Sequence, residues 1–265
     1  MKDAHKLIAA YAVKFDGDWD RIYAALCSKE FIDEEEVDKL ASTIKSKYIT
    51  ILDPRYPQYL KHFYHPPFIL FYYGDISLLT HTPISKRLAV IGTRNPTEYG
   101  IKMTKEAVNE LAKDYIIVSG MASGIDAISH WGAINNGGKT IAVLGSGIDY
   151  VYPSENILLY NELKKSQLVM SEYPNSVTPT RDKFPHRNRL VAYFSAAVVI
   201  TEALDKSGTS ITAGLAINIG RDVFCYPDLA TKNSCCNRLI KEGAIMVESP
   251  EEIKYELKKA NQFFE

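Results

Sequence analysis

Residues 87–120, RLAVIGTRNPTEYGIKMTKEAVNELAKDYIIVSG, decide the fold. A short apolar run ends at Gly92-Thr93-Arg94, a stretch of helical length follows over 98–113, and a second apolar run ends at Ser119-Gly120. Apolar runs without polar alternation are typical of strands that are buried on both faces, as in parallel sheets. The stretch therefore predicts a strand, a crossover helix and a second, parallel strand.

The same pattern continues towards the C-terminus. Further apolar runs occupy residues 140–144, 167–170, 197–200, 222–225 and 244–247, and stretches of helical length lie at 124–136, 209–219 and 250–260. Strands that alternate with helices in this way form βαβ units. The sequence therefore predicts an α/β fold with a doubly wound, mostly parallel sheet of about seven strands.

Two further segments precede this domain, which we assign to residues 87–265. Residues 1–50 have apolar positions at helix spacing and an acidic cluster where a helix would begin, and they predict a small helical domain. Residues 51–86 are rich in proline and aromatic residues and contain one predicted strand at 68–73. We interpret them as a connector that packs on the main domain. Stacking of these rings on nucleic-acid bases is the less favoured alternative.

Composition restricts the class of protein. The chain has 265 residues with 31 basic and 32 acidic side chains, so a nucleic-acid-binding surface would have to be a local patch. The N-terminal apolar run is too short for a signal peptide, and no run is long enough to span a membrane. The four cysteines lack metal-ligand spacing. We expect a cytoplasmic protein without a membrane segment, a metal or a cofactor.

Small residues follow almost every predicted strand. The candidate binding residues in these loops are Gly92, Thr93, Arg94, Ser119, Gly120, Gly145, Ser146, Gly147, Ser207, Gly208 and Thr209. The carboxyl ends of parallel strands meet at one edge, where glycine and helix N-termini offer free N–H groups to anions. Turn chemistry alone would explain any single loop. Four such loops together predict a phosphate-binding edge, although neither the G-x-G-x-x-G nor the G-x-x-x-x-G-K-[ST] motif is present.

A local basic segment, residues 181–189, has the sequence RDKFPHRNR. It supplies four more candidate binding residues: Lys183, Phe184, Arg187 and Arg189. Cations suit the phosphates of single-stranded nucleic acid, and an aromatic ring suits its bases. Arg187 and Arg189 diverge on a helix, so one of the two can instead have a structural role, such as pairing with Glu172.

These motifs resemble the DprA (Smf, DNA-processing) family. The resemblance lies in Ile91-Gly92-Thr93-Arg94, Ser119-Gly120-Met121-Ala122-Ser123-Gly124-Ile125-Asp126, Leu144-Gly145-Ser146-Gly147 with Tyr152-Pro153, Phe184-Pro185-His186-Arg187-Asn188-Arg189 and Ser207-Gly208-Thr209-Ser210. They occur in family order over residues 50 to 247. The longer family members carry a C-terminal winged-helix-like domain, which we do not expect here.

The resemblance implies an extended Rossmann-like fold and a homodimer. It also implies a protein that binds single-stranded DNA, is not an enzyme, and loads the RecA recombinase on incoming DNA in natural transformation. The family's pocket arginine, phenylalanine and lysine correspond to Arg94, Phe184 and Lys183. Binding to this pocket would be mainly electrostatic.

The alternative is a nucleotide phosphoribohydrolase similar to the LOG family, which has a related sheet. Its P-G-G-x-G-T-x-x-E signature is only partly present, because Thr212 stands where the glutamate would be. Glu202 would be the remaining candidate carboxylate. Asp126 and His130 share a helix face, but a structural hydrogen bond is the favoured interpretation of that pair.

Overall fold

The apolar runs form one nine-stranded sheet in the computed structural model, which describes residues 3–205 and 207–262. Its strands are β1 (Lys47–Thr50), β2 (Ile69–Gly74), β3 (Arg87–Ile91), β4 (Ile116–Ser119), β5 (Thr140–Val143), β6 (Leu168–Ser171), β7 (Ala197–Ile200), β8 (Asp222–Cys225) and β9 (Ile245–Met246). The strands β3 to β9 are the seven predicted ones, and β2 is the strand predicted within the connector. The strand β1 differs from the expectation of helix up to about residue 50, and it pairs antiparallel with β2.

Helices connect these strands. They are α1 (Ala4–Lys14), α2 (Trp19–Ser28), α3 (Glu34–Ser42), α4 (Ser77–Thr80), α5 (Glu98–Leu111), α6 (Ile125–Asn135), α7 (Ile157–Ser166), α8 (Lys183–Tyr193), α9 (Gly208–Asn218), α10 (Cys235–Lys241) and α11 (Pro250–Gln262). The acidic cluster begins α3, where the Asp33 carboxylate accepts a hydrogen bond from the Glu36 N–H at 2.7 Å. Among the described residues, no helix has the length and apolar character needed to cross a membrane.

The strand order places the candidate loops together. The order is β1-β2-β6-β5-β4-β3-β7-β8-β9, and the pairs from β6 to β9 are parallel, while β2 runs antiparallel to β6. After β3 the chain proceeds outward through β4, β5 and β6, and then returns to the other side of β3 as β7. The carboxyl ends of β3 and β7 therefore flank the switch point, where ligands bind in doubly wound sheets. The predicted α/β fold with its mostly parallel, doubly wound sheet is confirmed.

The central strands are buried on both faces. Leu88 and Val90 belong to one hydrophobic cluster, whereas their neighbours Ala89 and Ile91 belong to another on the opposite face. All four side chains are buried. Burial of alternate residues on both sides explains why these strands appear as uninterrupted apolar runs.

The N-terminal helices pack directly against the sheet. Ile8, Tyr11 and Ile22 share a hydrophobic cluster with Phe71 of β2 and Val169 of β6. The division into residues 1–50, 51–86 and 87–265 remains a proposal, and its outermost residues at both termini lie outside the described part of the chain.

Candidate nucleic-acid interface

Two adjoining cavities open at the carboxyl ends of the strands. The larger has a volume of about 290 Å³ and the smaller about 40 Å³. Both are lined by Arg94, Gly120, Phe184 and Arg187. The larger cavity also contacts Leu204, Ser207, Gly208 and Thr209 after β7, so it lies at the switch point of the sheet.

The loop after β3 projects Arg94 into solvent. The Thr93 N–H donates to the Glu202 carbonyl at 2.8 Å, and the Thr93 carbonyl accepts from the Ile125 N–H at 3.1 Å. A Cβ atom at Gly92 would lie 2.6 Å from the Glu202 carbonyl oxygen, so this close approach requires glycine. Because Gly92 and Thr93 are fixed in this way, the exposed Arg94 side chain extends from a rigid loop.

Phe184 lies between a cation and a second ring. The Arg94 guanidinium carbon is 5.3 Å from the Phe184 ring centre, and the Tyr152 ring centre is 5.5 Å from it. Phe184 also packs against Gly145, where a Cβ atom would lie 2.7 Å from its ring. Guanidinium and aromatic planes side by side form a surface on which nucleobases can stack.

Arg187 places a buried charge at the base of both cavities. Its guanidinium donates to the carbonyls of Gly120 and Val143. Burial lowers the pKa of Arg187 to about 10, so the group stays charged at neutral pH.

The Asp126 carboxylate fixes the loop above this arginine. It accepts from the N–H groups of Gly120 at 3.1 Å and Ala122 at 3.3 Å. Burial raises the pKa of Asp126, and the Arg187 charge together with these hydrogen bonds opposes the rise. The hydrogen bond favoured for the Asp126–His130 pair is not found between the described atoms of the two residues, because Asp126 instead accepts from backbone N–H groups. The described contacts of His130 include the Thr140 hydroxyl, at 2.7 Å.

The loop before α9 completes the opposite wall. The Thr209 hydroxyl donates to the Gly92 carbonyl at 3.0 Å, and the Asn188 amide donates to the Gly208 carbonyl at 3.2 Å. The Ser207 hydroxyl is buried and has no hydrogen-bond partner within the described residues. The first N–H groups of a helix are unpaired and carry a partial positive charge, so this wall favours an anion.

Arg189 turns away from the cavities. Its guanidinium donates to both Glu172 oxygens at 2.6 and 2.7 Å, and it lies 2.9 Å from His186 Nε2. Arg189 and Glu172 are both buried. Of the two arginines, Arg189 therefore holds the structural ion pair and Arg187 lines the cavities.

A family model described as DNA recombination-mediator protein A matches residues 47–258. The chain belongs to this family. The DNA processing protein DprA of Bacillus subtilis is 38% identical to it over 220 residues, which cover 80% of this chain and 72% of that protein. The Streptococcus pneumoniae DprA is 39% identical over 206 residues, which cover 77% of this chain and 72% of that protein.

Solved structures of DprA proteins have the same fold. The X-ray structure of the Streptococcus pneumoniae DprA has a TM-score of 0.76 and 33% identity, and the match covers 95% of this chain and 92% of that one. A Helicobacter pylori DprA structure, which concerns the single-stranded DNA binding mode of that protein, has a TM-score of 0.73 and 32% identity. That match covers 82% of this chain and 98% of the Helicobacter chain. The resemblance to the DprA family is confirmed.

The cavities bring together ten of the predicted residues. They are Gly92, Thr93, Arg94, Gly120, Gly145, Phe184, Arg187, Ser207, Gly208 and Thr209. Their roles in binding remain predictions.

The other five predicted residues lie outside the cavity walls. The hydroxyls of Ser119 and Ser146 donate inward, to the carbonyls of Val90 and Tyr150, both at 2.7 Å. Gly147 is buried and its N–H donates to the Val177 carbonyl at 2.7 Å. Lys183 donates to the Thr180 hydroxyl at 2.9 Å, and Arg189 pairs with Glu172. Direct contact of these side chains with a ligand would require movement.

Sequence reasoning left out several wall residues. Tyr152, Asn188 and Thr212 line the cavities but were not among the candidate binding residues. Tyr152-Pro153 and Asn188 belong to the motifs that resemble the DprA family, so the resemblance could have identified them as binding residues. Thr212 lies one turn after Gly208 in α9, and its position on the cavity side follows only from the packing of that helix.

Proposed function

We propose that this chain binds single-stranded DNA in the two cavities, and that it acts as a recombination mediator that loads RecA on incoming DNA in natural transformation. The observation that carries the proposal is the arrangement of Arg94 beside Phe184. Among the described residues, no carboxylate lies within 4.0 Å of the exposed Arg94 guanidinium. Its charge is therefore available to a phosphate.

The chemistry of the walls favours a polynucleotide over a compact anion. Arg94, Arg187 and the N–H groups of α9 suit phosphates, whereas Phe184 and Tyr152 suit bases. The two cavities share a wall and open to solvent, which lets a flexible strand enter and leave. A base inside a duplex has both faces covered by neighbouring bases and cannot stack on a protein ring, so we expect a strong preference for single strands.

The relatives support the same assignment. The Helicobacter pylori protein, with the same fold over 82% of this chain, binds single-stranded DNA. Family membership supports the recombination role. We extend both to this chain, and we place it in the cytoplasm, where RecA and incoming DNA meet.

The proposal includes a homodimer. The edge strand β9 is only two residues long and exposes Met246. Exposed apolar side chains beside an uncovered strand edge are suited to contact with a second copy. A single-chain mass by light scattering at micromolar concentration would contradict this part.

We propose binding rather than catalysis. Glu202, the candidate carboxylate of a phosphoribohydrolase, accepts from the Thr97 N–H at 2.8 Å and the Thr97 hydroxyl at 2.9 Å, and it lies 3.4 Å from Lys232. A carboxylate so occupied fixes the loop after β3. Release of free base from nucleoside monophosphates would contradict the proposal.

Fluorescence anisotropy with labelled oligothymidylate tests the binding. We expect Arg94→Glu to weaken binding at least about tenfold and to reduce the slope of log K against log salt by about one. The charge-reversal control is Lys258→Glu, on the exposed side of α11. Equal affinities of all three proteins, or equal binding to a duplex, would overturn the proposal.

RecA loading needs its own assay. The wild-type chain should accelerate RecA filament formation on strands coated with single-strand-binding protein, and Arg94→Glu should not. If Arg94→Glu also accelerated RecA filament formation, RecA loading would not depend on DNA binding in the cavities.

A further inference from the structure

A column of five aromatic rings lies beside the candidate interface, formed by Trp19, Tyr23, Tyr64, His65 and Phe68. Trp19 of α2 stacks on His65 with ring centres 4.0 Å apart and planes 11° apart, and Tyr64 stacks on His65 at 3.9 Å and 19°. Phe68 stacks on the other side of the group, 5.0 Å from Trp19. Tyr64 ends the column at the surface and is 78% exposed.

The column is held in place by hydrogen bonds from two helices. The Trp19 indole N–H donates to the Pro66 carbonyl at 2.7 Å, and the Tyr193 hydroxyl at the end of α8 donates to the Tyr64 carbonyl at 2.9 Å. His65 adopts a left-handed backbone conformation with φ of 51°, which a non-glycine residue keeps only where its surroundings impose it. The exposed ring is thus supported by a fixed main chain.

Helix α8 separates the column from the cavities. Phe184 and Arg187, three residues apart, face the cavities, whereas His186 faces the connector and lies 6.3 Å from His65 between ring centres. A strand that leaves Phe184 and crosses the first turn of α8 therefore arrives at the column. Lys61 and His62 are exposed in the same connector, where their charge or polarity suits a phosphate backbone.

We propose that the exposed face of Tyr64 is a second base-stacking position for single-stranded DNA that extends beyond the cavities. This inference rests on the proposed function. A packing role does not explain the ring, because a side chain that is mostly exposed contributes little burial. A ring held on a rigid stack, by contrast, loses little freedom when a base covers it. Its π face accepts any base, so no sequence preference is expected.

The test compares oligothymidylates of increasing length, from about 4 to about 20 nucleotides. For the longer strands we expect Tyr64→Ala to weaken binding at least about fivefold and Tyr64→Trp to preserve it. For the shortest strand, which fills only the cavities, Tyr64→Ala should bind like the wild type. The salt slope should stay unchanged, because a stacked base releases no counterions.

Two controls make the outcomes distinct. Tyr255→Ala removes an exposed tyrosine from α11. The adjacent Lys254 pairs with Asp114 at the amino end of β4, whereas the cavities lie at the carboxyl ends of the strands. Arg94→Glu reports on the cavities. If Arg94→Glu loses affinity while Tyr64→Ala binds long strands like the wild type, the inference is overturned and the proposed function stands.

The remaining outcomes are also decisive. A loss for Tyr64→Ala that is equal at every length contradicts a position beyond the cavities. No binding of any length by the wild type overturns the function and the inference together. The melting temperature of Tyr64→Ala, compared with that of Tyr255→Ala, shows whether both variants are folded.

Discussion

The Arg94 guanidinium lies 5.3 Å from the centre of the Phe184 ring, although the two residues belong to different strand–helix units. Arg94 follows β3, and Phe184 lies in the first turn of α8, which follows β6. The strand order brings these two carboxyl ends to one edge of the sheet, with β4 and β5 between them. In the proposed function, a charged group on a loop and an aromatic face on a helix would therefore contact the same nucleotide, each fixed by its own element.

Removal of the Phe184 ring should weaken binding without changing its salt dependence. We expect Phe184→Ala to cost about 1–3 kcal/mol of binding free energy, since a base loses its stacking partner. Phe184→Tyr keeps the ring and serves as the matched control. Anisotropy titrations at several salt concentrations separate this loss from that of Arg94→Glu. A reduced salt slope for Phe184→Ala would contradict a stacking role.

Two glycines should be intolerant of a methyl group. A Cβ atom at Gly120 would lie 2.7 Å from the Arg187 guanidinium, and one at Gly145 would lie 2.7 Å from Phe184. We expect Gly120→Ala and Gly145→Ala to destabilise the fold by about 1–3 kcal/mol and to weaken DNA binding, because each displaces a wall residue.

The control for these glycines is Gly214 in α9, where an added Cβ meets no atom within 4 Å. Gly214→Ala should stabilise the chain by up to about 1 kcal/mol, because alanine favours a helix interior. Urea unfolding measures all three variants. Equal stability of Gly120→Ala and Gly214→Ala would show that the wall tolerates displacement of Arg187.

Arg189 should matter for stability rather than for affinity. Arg189→Met leaves the buried Glu172 carboxylate without its partner at 2.6 Å, which we expect to cost about 3–5 kcal/mol of unfolding free energy. The double variant Glu172→Gln with Arg189→Met should recover part of that loss. The folded fraction should bind single strands like the wild type. Reduced affinity with unchanged stability would instead assign Arg189 to the DNA.

His130 should make stability depend on pH. Burial lowers the pKa of its ring from 6.5 to about 3, so the unfolded chain takes up a proton in this range that the folded chain does not. The unfolding free energy should therefore fall as the pH drops from about 6.5 to about 3. The contribution of one such proton is about 1.4 kcal/mol per pH unit. Above pH 6.5 the His130 ring is neutral in both the folded and the unfolded chain, so it contributes no pH dependence to the unfolding free energy.

Urea unfolding of wild type and His130→Gln at several pH values checks this. The variant should show the shallower pH dependence, whatever its absolute stability. An NMR titration of the wild-type ring is the second measurement, and it should find a neutral imidazole down to about pH 4. Protonation near pH 6.5 in the folded protein would refute the assignment.

The sequence predicts the sheet well, because buried parallel strands have a strong and local signature. The runs that form β3, β4 and β5 stand between polar stretches and end at small residues. The strand β1 has no such signature: its four residues pair with residues 69–72 of β2, which are distant in the sequence. A four-residue strand at the end of a helical segment is thus recognised only in the structure.

The site is predicted less completely, because side-chain direction depends on packing. Ser119 and Ser146 stand in the right loops, yet their hydroxyls satisfy carbonyls inside the protein. Arg187 and Arg189 are equivalent by composition, and only the position of Glu172 directly after β6 decides which of the two arginines it pairs with. Lys183 donates to Thr180, which lies in a loop with no regular pattern.

A crystal structure of the chain with a short oligothymidylate would show where the strand binds. We expect one phosphate against Arg94 and the N–H groups at the start of α9, with a base stacked on Phe184. An oligonucleotide ordered elsewhere on the surface, with both cavities filled by solvent, would contradict it.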